Sequence, residues 1–232
     1  MKKAYTIDID SNNSIDKDSF FHYSTNSNDD FSVLPTFEFN HATAKKIRDI
    51  LKDSSKKQKD IILSHKELQK AFFSPFMPQL KKTQVFLSHS HADKNKALAI
   101  KDYLEEKLRT ECVFIDSLFW DYKDDILNEI AEYDDISEIE DAFTLILRES
   151  LEIMIQKCPY FVFLQSKNSI SYQGLSSITY SAWIYEELKI ANAFLQKPRI
   201  TAMRVSHNTT ELLGRFKPIS LDNLCELLEN KF

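Results

Sequence analysis

The sequence predicts an α/β fold: a parallel sheet flanked by helices, with an N-terminal accessory region ahead of it. Three observations lead there. From Lys82 onward, short apolar runs alternate with longer amphipathic stretches. The runs are nearly continuous in apolar residues, as strands buried on both faces require. Polar segments, "SHSH", "DSLFW" and "SKNS", follow three of them, and in such sheets ligands bind at the carboxyl ends of the strands.

Residues 1–80 are expected to form the accessory region and 81–232 the main domain. The first 40 or so residues are rich in Ser, Asn and Asp, with apolar islands "AYTIDI" and "FSVLPTFEF" that predict edge strands or a mobile chain. Residues 41–74 read as helical pieces, and Ser64 followed by Glu67 fits a capping box. Two prolines make "SPFMPQLKK" a linker.

In the main domain, "TQVFLSHS" predicts the first strand. "ADKNKALAIKDYLEEKL" predicts a helix, because Ala97, Ile100, Leu104 and Leu108 fall on one stripe. "CVFIDS" is the second strand, and residues 118–142 are a long acidic connection. "AFTLILRESLEIMIQKC" predicts a helix, "PYFVFLQS" a third strand, "SAWIYEELKIANAFL" a helix, "RITAMRVS" a fourth strand and "SLDNLCELLEN" a closing helix.

Composition narrows the functional classes. A chain of 232 residues with 43% hydrophobic and 28% charged residues can bury one substantial core. A net charge of -5 gives no reason to expect a nucleic-acid partner. No apolar run approaches the roughly 20 residues that span a bilayer, and the N-terminus lacks the apolar stretch of a secretion signal. Cys112, Cys158 and Cys225 are too far apart to suggest a disulfide framework or a zinc pattern. A reducing cytoplasm is the expected home. Gly174 and Gly214 are the only glycines. A P-loop and a G-x-G-x-x-G turn are therefore both missing, and any nucleotide must be held in another way.

Three constellations carry chemistry. In "FLSHSHADK", His89, His91 and Asp93 resemble the H-x-H-x-D-H zinc signature of metallo-β-lactamase-type hydrolases. Lys94 replaces the last histidine, and His207 is the only histidine downstream. The plainer reading is a polar loop with Asp93 near a helix N-terminus. Asp116 ends the second strand, either at the ligand edge of the sheet or as a strand-to-loop cap. Glu187 lies inside the apolar arc of its helix, with Trp183 one turn before it and Ala191 one turn after. A lone carboxylate in a dry core is costly, so it must be paired or used. A structural ion pair and core packing are the plain readings of Glu187 and Trp183.

Together, "VFLSHSHADK", "VFIDS" and "FVFLQSKNSISYQGLSSITYSAWIYEEL" resemble a TIR (Toll/interleukin-1 receptor) domain of the bacterial, NAD-cleaving kind. The resemblance covers about residues 83–206. Its most specific piece is S-x-W-x-x-x-E-L, present as Ser181, Trp183, Glu187 and Leu188. Ile184 stands where the motif usually has cysteine, and the loop after "VFIDS" lacks the usual glycine.

The resemblance implies a flavodoxin-like TIR fold and an NAD glycohydrolase or cyclase with Glu187 as catalytic residue. NAD is then substrate rather than cofactor, and no metal is required. Ser88, His89 and Ser90 are expected to hold phosphate or ribose oxygens. Asp116 is expected at the same edge, Trp183 as an apolar wall, and Trp120 in a lid. The resemblance further implies self-association on activation. The product would be an ADP-ribose-derived signal for a separate effector, as in Thoeris-type anti-phage defence. A non-catalytic TIR interaction module is the alternative, and a zinc hydrolase a further one.

Overall fold

A computed structural model describes Met1 and residues 3–11, 45–47, 49, 69–71, 81–110, 112–131, 137–173, 176–195 and 207–230. In chain order the elements are β1 (Lys3–Asp8), β2 (Val85–Ser88), a 3-10 turn (His91–Asp93), α1 (Lys94–Leu108), β3 (Val113–Ile115), α2 (Asp116–Ala131), α3 (Ser137–Lys157), β4 (Tyr160–Gln165), β5 (Ser171–Gln173), β6 (Ser176–Thr179), α4 (Ala182–Leu195), β7 (His207–Asn208), α5 (Thr210–Leu213), β8 (Lys217–Pro218) and α6 (Leu221–Glu229). The chain divides into two compact units: Met1–Asp30 with Lys82–Asp116 and Glu152–Phe232, and Phe31–Lys81 with Ser117–Leu151.

The first unit holds a five-stranded sheet in the order β3-β2-β4-β1-β8. Every described pairing in it is parallel. With its flanking helices this is a flavodoxin-like α/β architecture. Register is fixed by the apolar runs themselves. Phe86 of β2 lies opposite Phe114 of β3 and Phe161 of β4. It stacks on both, at centroid distances of 5.8 Å and 5.6 Å. Each such aromatic pair adds about 0.5–1.5 kcal/mol beyond its area burial. A one-residue slip would carry Phe86 to the opposite face and lose both contacts.

α1 packs on β3 and α6. It ends at Arg109, whose φ of 51° is left-handed, the usual conformation just beyond a helix C-terminus. Inside α1, Lys101 is buried and pairs with Glu105. Glu105 Oε1 also accepts from Cys112 N (3.0 Å) and Val113 N (2.9 Å), which ties the helix to the start of β3. α4 packs on β1, β6 and α5. Asn192 Nδ2 donates to Leu188 O (2.9 Å) and Leu212 O (3.1 Å), linking α4 to the α5 segment.

Four expectations need correction or completion. "AYTIDI" is no edge strand: β1 pairs with β4 along its whole length and with β8 through Tyr5 and Thr6. Its buried residues Ala4, Tyr5 and Ile7 supply the apolar surface for that position. β1, from the N-terminal region, joins the sheet of the main domain, and Ser117–Leu151 groups apart from that sheet. The acidic connection is largely helical, as α2 and the start of α3, and Asp116 opens a helix rather than a loop. Between β4 and α4, β5 and β6 form an antiparallel hairpin that β7 extends into a second sheet. The expected strand "RITAMRVS" lies outside the described residues.

The second unit contains most of α2 and α3. Ile126, Leu127, Ile146, Leu147 and Leu151 are buried there. Ser150 Oγ donates back to Ile146 O one turn earlier.

Candidate functional site

The carboxyl edge of the sheet gathers polar side chains that are far apart in sequence. β2 ends at Ser88, an inward position on a fully buried strand. His89 follows it directly, and Asp116 follows β3. All three are buried. α4 brings Glu187 to them. Glu187 is 0% exposed, on the face that also buries Ile184, Leu188 and Ala191.

Two contacts define the geometry. Ser88 Oγ donates to Glu187 Oε2. His89 Nδ1 lies 2.9 Å from Asp116 Oδ1. That distance suits an ion pair, but the N–H direction is off-line, so neither atom has an aligned hydrogen bond. His89 Nε2 likewise finds no hydrogen-bond partner among the described residues, whereas Glu187 lies within hydrogen-bonding reach of Asp116 when one of the two carboxyls carries a proton. Burial first, and then the charge of Asp116, push the Glu187 carboxyl well above its ordinary range; the Ser88 hydroxyl works against them. The acid is thus held toward its neutral form. A positive charge brought beside it would favour ionisation.

A second polar cluster ties the same edge together. Asp93 is buried and accepts from Ser166 Oγ and from Asn168 Nδ2 (3.0 Å), both just beyond β4. Lys96 Nζ lies 3.5 Å from both Asp93 Oδ1 and Asp10 Oδ1, and Asp10 Oδ2 accepts from Lys167 N at 2.8 Å. The segments after β1, β2 and β4 are thereby joined.

Ser88, His89, Asp116 and Glu187 therefore meet. Ser90 stands in the same β2 end, half-buried, and its carbonyl accepts from Asp93 N at 2.8 Å. Trp183 is half-buried one turn before Glu187. Trp120 lies in α2, in the other unit, and its side chain is outside the described residues. The zinc reading finds no convergent ligands. His89 turns inward to Asp116, His91 is exposed, and Asp93 is engaged by Ser166 and Asn168. Among the described residues, no group of three or more His, Cys, Asp or Glu is placed to hold a metal ion.

No family model, curated protein or solved structure matches this chain. Among the described residues, no helix is long and apolar enough to cross a membrane.

Sequence reasoning did not pair Ser88 with Glu187, or His89 with Asp116. It missed Ser166 and Asn168 as partners of Asp93, although "SKNS" stood out as a polar strand end. The available signal was position alone: Ser88, His89, Asp116, Ser166 and Asn168 stand at or just beyond the ends of apolar strands.

Proposed function

We propose that the chain is a TIR-type enzyme that cleaves the nicotinamide–ribose bond of NAD and yields an ADP-ribose-derived, cyclic signal in anti-phage defence. One observation carries the reading. Glu187, the glutamate of S-x-W-x-x-x-E-L, is buried beside Ser88, with Asp116 near it, at the carboxyl edge of a parallel sheet.

Positive charge builds on the ribose as neutral nicotinamide leaves, and a nearby carboxylate stabilises it. Nicotinamide departs uncharged, so little acid help is needed. The cationic substrate itself favours ionisation of Glu187. Ser88 orients the carboxylate, and Ser90 and Trp183 line the approach along β2 and α4. Water attack gives ADP-ribose, and attack by a group of the substrate gives a cyclic product, so exclusion of water sets the balance. In this reading the enzyme works in the cytoplasm, self-associates when activated, and reaches a separate effector through its product.

Full burial of Glu187 favours a second reading, a non-catalytic TIR interaction module in which the cluster is structural. Incubation of purified protein with NAD, with product identification, separates the two. Release of nicotinamide that is lost in Glu187→Gln supports the enzyme. NAD left intact across a range of protein concentrations supports the module.

A further inference from the structure

His89 is the buried group that the chemistry above leaves without a task. Its side chain is 1% exposed, and Nε2 has no hydrogen-bond partner among the described residues. A buried polar atom without a partner costs on the order of 1–3 kcal/mol. A leucine or phenylalanine in this place would pack with no such cost, and β2 is otherwise apolar up to Ser88. His89 Nδ1 faces Asp116 Oδ1 at 2.9 Å. A carboxylate on that side favours the tautomer with the proton on Nδ1, which leaves Nε2 with a free lone pair. The residue next in sequence, Ser88, holds Glu187. Base and charge stabiliser are therefore fixed by adjacent residues of one strand end.

We infer that His89 is a second catalytic residue, the general base that accepts the proton of the attacking hydroxyl or water, with Asp116 as its positioning residue. The inference rests on the NAD-cleaving reading and adds a proton acceptor to it. As the C1′–N bond breaks, its electron pair leaves with nicotinamide. The oxygen nucleophile forms the new C1′–O bond, and its proton passes to His89 Nε2. The imidazolium, with Nδ1–H toward Asp116, later gives that proton to solvent. Charge and atoms balance: NAD and water become ADP-ribose, nicotinamide and a proton. Among the described residues, Glu187 from α4 also faces Asp116.

The test compares wild type, His89→Asn, Asp116→Asn and Glu187→Gln. Asparagine at 89 keeps a donor near the position of Nδ1 but cannot take up a proton. The expected result is a loss of kcat in His89→Asn of about 100-fold, in the range of general-base catalysis. In Asp116→Asn the loss should be smaller and should fall on kcat rather than KM. Nitrogen NMR of wild type should show His89 protonated on Nδ1, with that preference lost in Asp116→Asn. Wild-type cleavage of NAD with a His89→Asn rate equal to wild type overturns the inference and leaves the reading standing. An imidazole spectrum indifferent to Asp116→Asn also overturns it, and this readout needs no folded His89 variant. Wild-type protein that leaves NAD intact overturns both.

Discussion

Ser88 Oγ donates a hydrogen bond to Glu187 Oε2, joining residues 99 positions apart. The bond fixes where the α4 carboxylate sits relative to the end of β2. It also stabilises the ionised form of an acid that burial and Asp116 hold toward neutrality. Orientation and protonation of Glu187 are thus set by different elements.

Glu187→Gln should abolish NAD cleavage with the fold intact, because the amide keeps an acceptor for Ser88 but carries no negative charge. Glu186→Gln should stay within about twofold of wild type. Glu186 pairs with Lys189 at 3.3 Å on a partly exposed face, and such pairs contribute about 0–1 kcal/mol. Nicotinamide release by both variants, with melting curves, checks this. Equal loss in both with normal melting would remove Glu187 from its role.

The same carboxyl makes stability depend on pH. Its folded pKa is raised above the ordinary 4.5, so the folded chain holds a proton that the unfolded chain has released. Stability is full below that ordinary value and declines as pH rises toward the folded one. Glu187→Gln carries no such decline. Its melting temperature relative to wild type should therefore increase from pH 4 to pH 8. A difference that shrinks with rising pH would contradict the assignment.

Glu105→Ala should be among the most destabilising single changes in the sheet unit. It leaves Lys101 buried without its partner and removes the acceptor of two backbone N–H groups. Breaking a buried pair costs about 3–5 kcal/mol. Urea unfolding at neutral pH gives the figure, and a loss below about 1 kcal/mol would show that the buried pair adds little.

The cysteines should be silent in the folded protein. Cys112 and Cys158 are fully buried, and burial pushes both thiols up to about 12. Cys225 is also buried, and burial followed by Glu229 raises its pKa. Thiolate is the reactive form. A colorimetric thiol reagent at pH 8 should find almost none of the three in native protein and all of them after denaturation. Rapid native labelling would mean that the core opens readily.

If activation proceeds by self-association, specific activity should rise with protein concentration, and substitutions at Trp120 should weaken that rise. The exposed acidic residues Asp124 and Asp125 of α2 favour a resting monomer through like-charge repulsion. Added salt should then promote association. Full specific activity at high dilution, from a monomer by light scattering, would count against this arrangement.

The sequence by itself determined the parallel α/β class and most of the elements in the sheet unit. The runs at 85–88, 113–115 and 160–165 are apolar on both strand faces and alternate with amphipathic helices, the pattern of a buried parallel sheet. It also singled out Glu187, because helical periodicity is local and a carboxylate on an apolar stripe breaks it. Tertiary structure decided what periodicity cannot contain. β1 takes an inner position through pairing with β4, more than 150 residues away. The hairpin of β5 and β6 depends on short strands whose alternation is weak in "SYQGLSSITYS". The partners of Glu187, His89 and Asp93 come from separate strand ends that only the folded sheet brings side by side. Local pattern reports which face a residue turns inward, and long-range packing chooses what it meets there.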